Sequence, residues 1–255
     1  MLNRLLLTIL TAAILTLAGA TTSMAGPEGA YGDGIGDCIG TRGGFEFGYG
    51  RGAINRDRDG SCKTDDIDDG NIESNLTTDE TRWILFIREE EKLARDSYLV
   101  LGNLWGLVIF ENIAISEKKH MDAMKNLIEH YKLTDPVTDE IGSFFDLELQ
   151  ALFDLLMLQG AQSTMDSLYV GAAIEETDID SLQNALEVTD QLYIVSTYES
   201  LMCGSRNHLR AFIRQIEING GSYTPKVLAE DEFWAIAYSD MEKGCGGNRK
   251  GKNKS

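Results

Sequence analysis

Ile113-Ala114-Ile115-Ser116-Glu117-Lys118-Lys119-His120-Met121 lies at the centre of an amphipathic pattern that covers residues 110–131. Apolar residues recur there at every third or fourth position, which is the spacing of one face of an α-helix. Glu117 and His120 are three residues apart and interrupt that apolar face. The pattern therefore predicts a helix that carries a carboxylate and an imidazole, side by side, into the interior of the protein.

A second amphipathic pattern runs from Thr77 to Trp105. It begins with Thr77 followed three residues later by Glu80, which is a capping box that satisfies free N–H groups of the first helical turn. Glu91 is the sole charge on its apolar face. This pattern predicts a long helix that brings one acid into the core.

Two further patterns complete a set of four long helices. The pattern over 163–186 has Glu175 on its apolar face, with Glu176 as the alternative if the helix is rotated, and the pattern over 190–220 has His208. A shorter apolar helix at 147–158 is typical of a crossover between the halves of a bundle. The predicted fold is all-α: a four-helix bundle with a long crossover that contains a short helix, preceded by an irregular Gly- and Asp-rich segment.

The ends of the chain differ from this helical region. Arg4 precedes an apolar run that is short for a membrane span, and small residues precede a cleavage point after Ala25, which predicts a signal peptide and a secreted, periplasmic or cell-surface protein. An uncleaved anchor helix is the alternative, and no later segment is apolar enough to span a membrane. The predicted parts are a signal peptide at 1–25, a Gly- and Asp-rich linker at 26–76, the bundle at 77–221, and a short helix with a disordered basic tail at 222–255.

An acidic loop in the linker has the spacing of a calcium site. Asn55, Asp57, Asp59 and Asp66 occupy positions 1, 3, 5 and 12 of an EF-hand-type loop, with Gly60 at position 6. Position 12 is Asp instead of the usual bidentate Glu, and no clear helix precedes the loop. The two interpretations are a calcium loop and a solvated acidic linker.

The four cysteines form no CxxC pair, so neither a zinc ribbon nor a thioredoxin-like motif is indicated. Cys38 and Cys62 share the Gly-rich segment and are the expected disulfide pair, since export permits disulfides. Cys203 falls inside a helical pattern and is expected to be a small buried apolar residue, not a reactive thiol.

The formal net charge of −18 argues against a nucleic-acid partner, because a polyanion would be repelled. Cationic partners, including metal ions, fit this charge. The charged run from Glu89 to Lys92 is typical of a solvated helix face, and we expect Arg206 and Arg210 to pair with the acids in that run.

Each of the four long helices places an acid or a histidine on an otherwise apolar face. Several such groups require compensation when they are buried together, because an isolated buried charge shifts its pKa and neutralises. A bound cation is the simplest compensation, and oxygen plus imidazole ligands suit iron, manganese or zinc. The candidate ligands are Glu91, Glu117, His120, Glu175 and His208.

The segment from Glu91 through Ala94 and Arg95 to Tyr98 resembles the first-helix E-x-x-A-R-x-x-Y pattern of rubrerythrins, and the segment from Glu117 to His120 resembles their second-helix E-x-x-H. Rubrerythrins belong to the ferritin-like superfamily. The longer strings at 88–96 and 204–212 resemble an uncharacterised bacterial and archaeal branch, the domain of unknown function 2202. The likeness covers residues 77–218.

This resemblance implies a ferritin-like bundle with a di-iron carboxylate centre. Glu91 would be a terminal ligand, Glu117 and Glu175 would be bridging carboxylates, and His120 and His208 would each give an imidazole to one iron.

The chain departs from the family pattern at Ser205, where the family's fourth helix has a glutamate. A mononuclear centre or an unequal pair of metals therefore stays open beside the symmetric pair. Asp178 lies one turn beyond Glu175 on the same helix and is a better-phased substitute than Glu199 for the missing ligand.

Two classes of function follow from these features. One is an exported protein that binds iron or manganese and reacts with dioxygen or peroxide, as an oxidase, ferroxidase or peroxidase. The alternative is a non-catalytic metal-binding or structural surface module. A homodimer is compatible with either, and no phosphate-binding glycine loop or ordered Ser, His and Asp pattern suggests nucleotide or hydrolase chemistry.

Overall fold

The structure is a computed structural model of the chain that describes residues 76–245. Within this range the protein has six helices and no strand, so the prediction of an all-α fold is confirmed there. The signal peptide, the calcium loop and the Cys38–Cys62 pair lie outside the described residues and stay predictions. The helices are α1 Thr78–Trp105, α2 Val108–His130, α3 Leu147–Gly160, α4 Thr164–Leu186, α5 Leu192–Ile218 and α6 Glu230–Ala237.

The four long helices contact one another in a closed ring. Helices α1 and α2 pack together, as do α4 and α5, and the ring is completed by contacts of α1 with α4 and of α2 with α5. Helix α3 lies in the connection between the two pairs and packs on α1 and α4, while α6 packs on α5. The core therefore lies between the four long helices, where their apolar faces meet.

Helix α1 begins and ends at residues suited to those positions. The predicted capping box is confirmed: Glu80 donates its backbone N–H to Thr77 Oγ1 at 3.1 Å, and Thr77 donates its own to Glu80 Oε2 at 2.7 Å. At the other end Gly106 adopts a left-handed backbone with φ of 67°, which glycine tolerates without a steric cost. These two ends set the length of the helix that carries Glu91.

An aromatic cluster brings the long helices close together within two turns of the candidate ligands. The rings of Tyr98, Phe110 and Phe212, from α1, α2 and α5, have centroids 5.4 to 5.9 Å apart. On α4, a Cβ added at Gly171 would lie 2.3 Å from the Phe212 ring. A glycine is therefore needed at this position, because it lets α4 approach the aromatic cluster.

The charged run from Glu89 to Lys92 is buried, with each residue at most 4% exposed, so its interpretation as a solvated helix face is wrong. Glu89 accepts the backbone N–H groups of the two residues just before α3, at 2.5 and 3.0 Å. Lys92 donates to Asp96 at 2.5 Å and to the carbonyl of Glu140 at 2.7 Å. The run therefore anchors the crossover to α1.

The segment after α6 folds back onto α5. Arg206 and Arg210 both donate to the Glu242 carboxylate, at 2.6 and 2.9 Å, instead of pairing with the acids of α1. Cys203 is buried as expected, and it forms a disulfide with Cys245, a pairing that was not among the predictions. The partner, Cys245, lies 42 residues away. It follows the short helix α6, in a Gly-rich tail whose sequence has no periodic pattern.

None of the helices between residues 76 and 245 has both the length and the apolar character that a membrane span requires.

We expect the Cys203→Ser/Cys245→Ser variant to unfold with a free energy about 2–4 kcal/mol lower than that of the unmodified protein. The disulfide closes a segment with a sequence separation of 42 residues, and removing such a crosslink increases the entropy of the unfolded chain. Urea denaturation followed by circular dichroism measures the difference. The prediction fails if reduction of the unmodified protein leaves its unfolding midpoint unchanged.

Candidate metal centre

Five of the six residues predicted as metal ligands meet in the middle of the helical ring, and the sixth, Asp178, lies beside them. Helix α1 contributes Glu91, α2 contributes Glu117 and His120, α4 contributes Glu175, and α5 contributes His208. Each of these side chains is at most 1% exposed. The register of the four helices therefore brings these five ionisable side chains together in one part of the core.

Glu117 lies between the two histidines. Its Oε2 is 2.8 Å from His120 Nδ1, and its Oε1 is 2.7 Å from His208 Nδ1. Glu91 Oε2 lies 3.2 Å from His120 Nδ1, and Glu175 Oε2 lies 3.4 Å from His208 Nδ1. The imidazole rings are stacked, with their centroids 5.5 Å apart. Both histidines thus present the same ring nitrogen to the same central carboxylate.

These side chains form two groups that share one residue. Glu91, Glu117 and His120 make the first group, and Glu117, Glu175 and His208 make the second, with one ligand atom from each residue within 4.8 Å of the others. The resemblance implied that Glu175 bridges as well, but the structure places Glu175 in the second group alone. Glu117 is the carboxylate common to both.

Several ligand atoms lack the hydrogen bonds that buried polar atoms normally make. Among residues 76–245, no hydrogen-bond partner is present for Glu91 Oε1, Glu117 Oε1 or His208 Nδ1. The last two atoms are 2.7 Å apart, but they are not aligned as donor and acceptor. Buried ligand atoms that converge without hydrogen bonds fit ligation of a shared cation, and this donor set of carboxylates and imidazoles suits iron, manganese or zinc.

Glu176, the alternative to Glu175, points away from this centre. Its carboxylate accepts the hydroxyl of Tyr223 at 2.9 Å and the backbone N–H groups of residues 226–228 at 2.6 to 3.0 Å. The rotated register of α4 is therefore wrong. Glu176 holds the segment between α5 and α6 against α4.

Asp178 and Ser205 lie together beside the two groups. The Ser205 hydroxyl donates to Asp178 Oδ2, whereas Asp178 Oδ1 has no hydrogen-bond partner within the part of the chain that the structure describes. Asp178 is 3% exposed and Ser205 is fully buried. Asp178 belongs to neither three-residue group, but it faces the position where the family pattern has a glutamate.

Residues 80–240 match the model of the family described as Uncharacterized protein domain (DUF2202). The chain belongs to this family. The chain is 45% identical to Uncharacterized protein MJ0754 of Methanocaldococcus jannaschii over 170 residues, which are 66% of this chain and 92% of that protein. It is also similar to the crystal structure of hypothetical protein MJ0754 from Methanococcus jannaschii DSM 2661, with a TM-score of 0.65, 45% sequence identity, and coverage of 66% of this chain and 96% of that one.

Tyr98, the last residue of the E-x-x-A-R-x-x-Y pattern, lies beside the centre of the DUF2202 domain, although it is not among the predicted ligands. Its hydroxyl donates to Glu175 Oε1 and also lies 3.4 Å from the carbonyl of Gly171. Tyr98 is seven residues after Glu91 and therefore on the same face of α1, which was the available signal. The tyrosine fixes the orientation of the Glu175 carboxylate toward His208.

The charges within the centre of the DUF2202 domain depend strongly on one another. Burial raises the pKa of Glu91 to about 8, against the opposing effect of His120. Burial alone would raise the pKa of Glu117 too, but the two histidines hold it below its usual value. For His208, Glu117 and Glu175 outweigh burial and raise the pKa to about 10. Without a cation, the centre therefore retains protons on its imidazoles and on Glu91 at neutral pH.

We expect the affinity of the DUF2202 domain for divalent transition-metal ions to rise with pH, by about tenfold or more per pH unit between pH 6 and 8. A ligating imidazole must be deprotonated, and both the His208 pKa of about 10 and the Glu91 pKa of about 8 mean that protons compete with the metal below those values. Titration with Co²⁺, followed by absorbance at several pH values, measures the slope. An affinity that does not change with pH would contradict the inferred protonation of His208 and Glu91 in the metal-free protein.

Proposed function

We propose that this protein is a ferritin-like metalloprotein whose helical ring holds a dinuclear centre of iron or manganese. The observation that carries the proposal is the position of Glu117, whose two oxygens each contact the Nδ1 atom of a different histidine. A carboxylate shared by two groups of ligands is the arrangement that binds two ions side by side in helical bundles. Glu91 and His120 would complete one metal position.

Glu175 and His208 would complete the other position, with the Tyr98 hydroxyl orienting Glu175. A pair of redox metals in such a site supplies electrons to dioxygen or peroxide and acts as a Lewis acid toward them. The protein contributes five ligands that are at most 1% exposed, which excludes bulk water. The proposed activity is therefore that of an oxidase, ferroxidase or peroxidase.

Export of the protein is part of this proposal. The Cys203–Cys245 disulfide supports it, because disulfides persist mainly in oxidising compartments outside the cytosol. The predicted signal peptide, with cleavage after Ala25, is the sequence feature that would direct the chain there.

A non-catalytic metal-binding or structural module is the second candidate. The observation that favours it is the mutual compensation within the centre, since each histidine already contacts two carboxylates and the buried charges are balanced by protons. In that case the centre would order the core without turnover. Steady-state assays separate the two candidates, because a pure binder oxidises ferrous iron at most once per site.

We expect the protein, produced with iron and manganese available, to contain about two redox metal ions per chain, and the Glu117→Ala/His120→Ala variant to contain almost none. The double substitution removes the shared carboxylate and one imidazole, and so it damages both metal positions. Elemental analysis with protein quantification measures the ratio.

The matched control is Glu129→Ala/His130→Ala, which removes an acid and a histidine from the end of the same helix, away from the centre. Its metal content should equal that of the unmodified protein. Near-zero metal in all three proteins would overturn the dinuclear proposal and leave the structural module. Two metals per chain without turnover of ferrous iron or peroxide would leave the metal-binding module.

A further inference from the structure

The two halves of the bundle differ in which helix carries the second acid. On α2, Glu117 precedes His120 by three residues, whereas on α5 the residue three before His208 is Ser205. On the other two helices the later one has the additional acid. On α1, Glu91 is followed three residues later by an alanine. Glu175 on α4 is followed at the same spacing by Asp178. At these positions α5 lacks the acid that α2 has, and α4 has an acid that α1 lacks.

The structure brings these two departures into contact. Ser205 Oγ donates to Asp178 Oδ2, so the aspartate reaches across the helix interface to the position from which a longer acid on α5 would project. Asp178 Oδ1 is buried and has no hydrogen-bond partner within residues 76–245. One oxygen is thus held by the serine, while the other is free of hydrogen bonds in the interior.

Asp178 lies close to the acids of both metal groups. Burial raises its pKa well above the usual value, and Glu91, Glu117 and Glu175, which come from three different helices, raise it further. Asp178 is one helical turn beyond Glu175 on α4, and it contacts Ser205, which is one turn before His208 on α5. Its oxygen without a hydrogen-bond partner among the described residues therefore belongs to a side chain that lies one turn from a candidate ligand on each of these two helices.

We propose that Asp178 is the second carboxylate shared by the two metal positions, and that Ser205 is the residue that positions it. The inference rests on the proposed dinuclear centre. It assigns the second shared carboxylate to Asp178 of α4, whereas the family pattern has a glutamate at the position of Ser205 on the fourth long helix. It concerns divalent first-row transition-metal ions.

The charge of the centre agrees with this assignment. Glu91, Glu117, Glu175 and Asp178 together supply four negative charges when they are ionised, which neutralise two divalent cations. A buried centre with neutral total charge avoids the large cost of unpaired charge in a medium of low dielectric constant. Without Asp178, the same two cations would leave one positive charge uncompensated.

The test compares metal content and metal affinity among four proteins: the unmodified protein, Asp178→Asn, Ser205→Ala and the exchange variant Asp178→Ala/Ser205→Glu. Co²⁺ and Mn²⁺ are the probes, with elemental analysis for stoichiometry and Co²⁺ absorption and magnetic resonance for coupling between two ions. Asp178→Asn keeps the shape of the side chain, so its fold should be retained, and circular dichroism checks this for each variant.

We expect Asp178→Asn to bind its second ion about 100-fold more weakly or to lose it, together with the magnetic coupling between two ions. Ser205→Ala should weaken the second ion by about 10-fold, the range expected when a group that orients a ligand is removed. The exchange variant should recover two coupled ions, because its glutamate on α5 projects toward the position that Asp178 occupies. Asp180→Ala, which removes a half-buried acid two residues further along α4, is the control that should match the unmodified protein.

The outcomes distinguish this inference from the function on which it rests. If the unmodified protein binds two coupled ions and Asp178→Asn binds them with the same affinity, Asp178 is a protonated partner of Ser205 and the inference is overturned, while the dinuclear centre stands. If the folded exchange variant holds a single ion, the exchange of roles between α4 and α5 is also refuted. If the unmodified protein binds no metal, the proposed function is refuted, and the role of Asp178 as a shared ligand is refuted with it.

Discussion

The contact of one buried carboxylate with two imidazoles is the constraint on which the rest of this structure depends. Removing Glu117, His120 and His208 from water costs several kcal/mol for each charged group unless it is compensated within the core. Both Glu117 oxygens must therefore lie within 3 Å of a histidine nitrogen, as they do at 2.8 and 2.7 Å. This requirement fixes the register of α2 against α5, because a shift by a single residue would rotate either partner out of the centre.

The packing around the centre supports this register from several directions. Gly171 permits α4 to approach Phe212 of α5, and Tyr98 of α1 ties Glu175 in place by a hydrogen bond. Glu89 and Lys92, on other faces of the same helix, hold the crossover. Helix α1 thus carries charged groups on nearly all of its faces, and each face has its own partner. The consequence is that packing and hydrogen bonds constrain the acids and histidines of the centre from several sides, as a metal site of defined geometry would require.

The helices and the acids and histidines that meet in the core were predictable from the sequence for a single reason: the helices appear as a local apolar repeat, and the acids and histidines appear as deviations within it. Glu91 and His208 are recognisable because their neighbours three and four residues away are apolar. The partner of Cys203 was not predictable in this way, since Cys245 follows a Gly-rich segment with no periodic pattern. The burial of Glu89 and Lys92 also depends on a distant segment, the crossover, which supplies backbone groups that no sequence pattern reveals. Residues whose partners are backbone atoms of the crossover therefore escape pattern analysis, because nothing in the local repeat marks them.

The helices supply unequal numbers of residues to the centre, so a substitution on α2 affects it more than a substitution on α5. Helix α2 supplies the shared carboxylate and one imidazole, whereas α5 supplies only His208 to the two groups. A loss on α5 therefore leaves the first group intact, but a loss of Glu117 removes an acid from both groups and leaves both histidines with one carboxylate contact fewer. The first group draws only on α1 and α2, whereas the second group combines Glu117 of α2 with residues of α4 and α5. In a bundle built from two helical hairpins, α1 with α2 and α4 with α5, the first hairpin therefore contains one complete three-residue group.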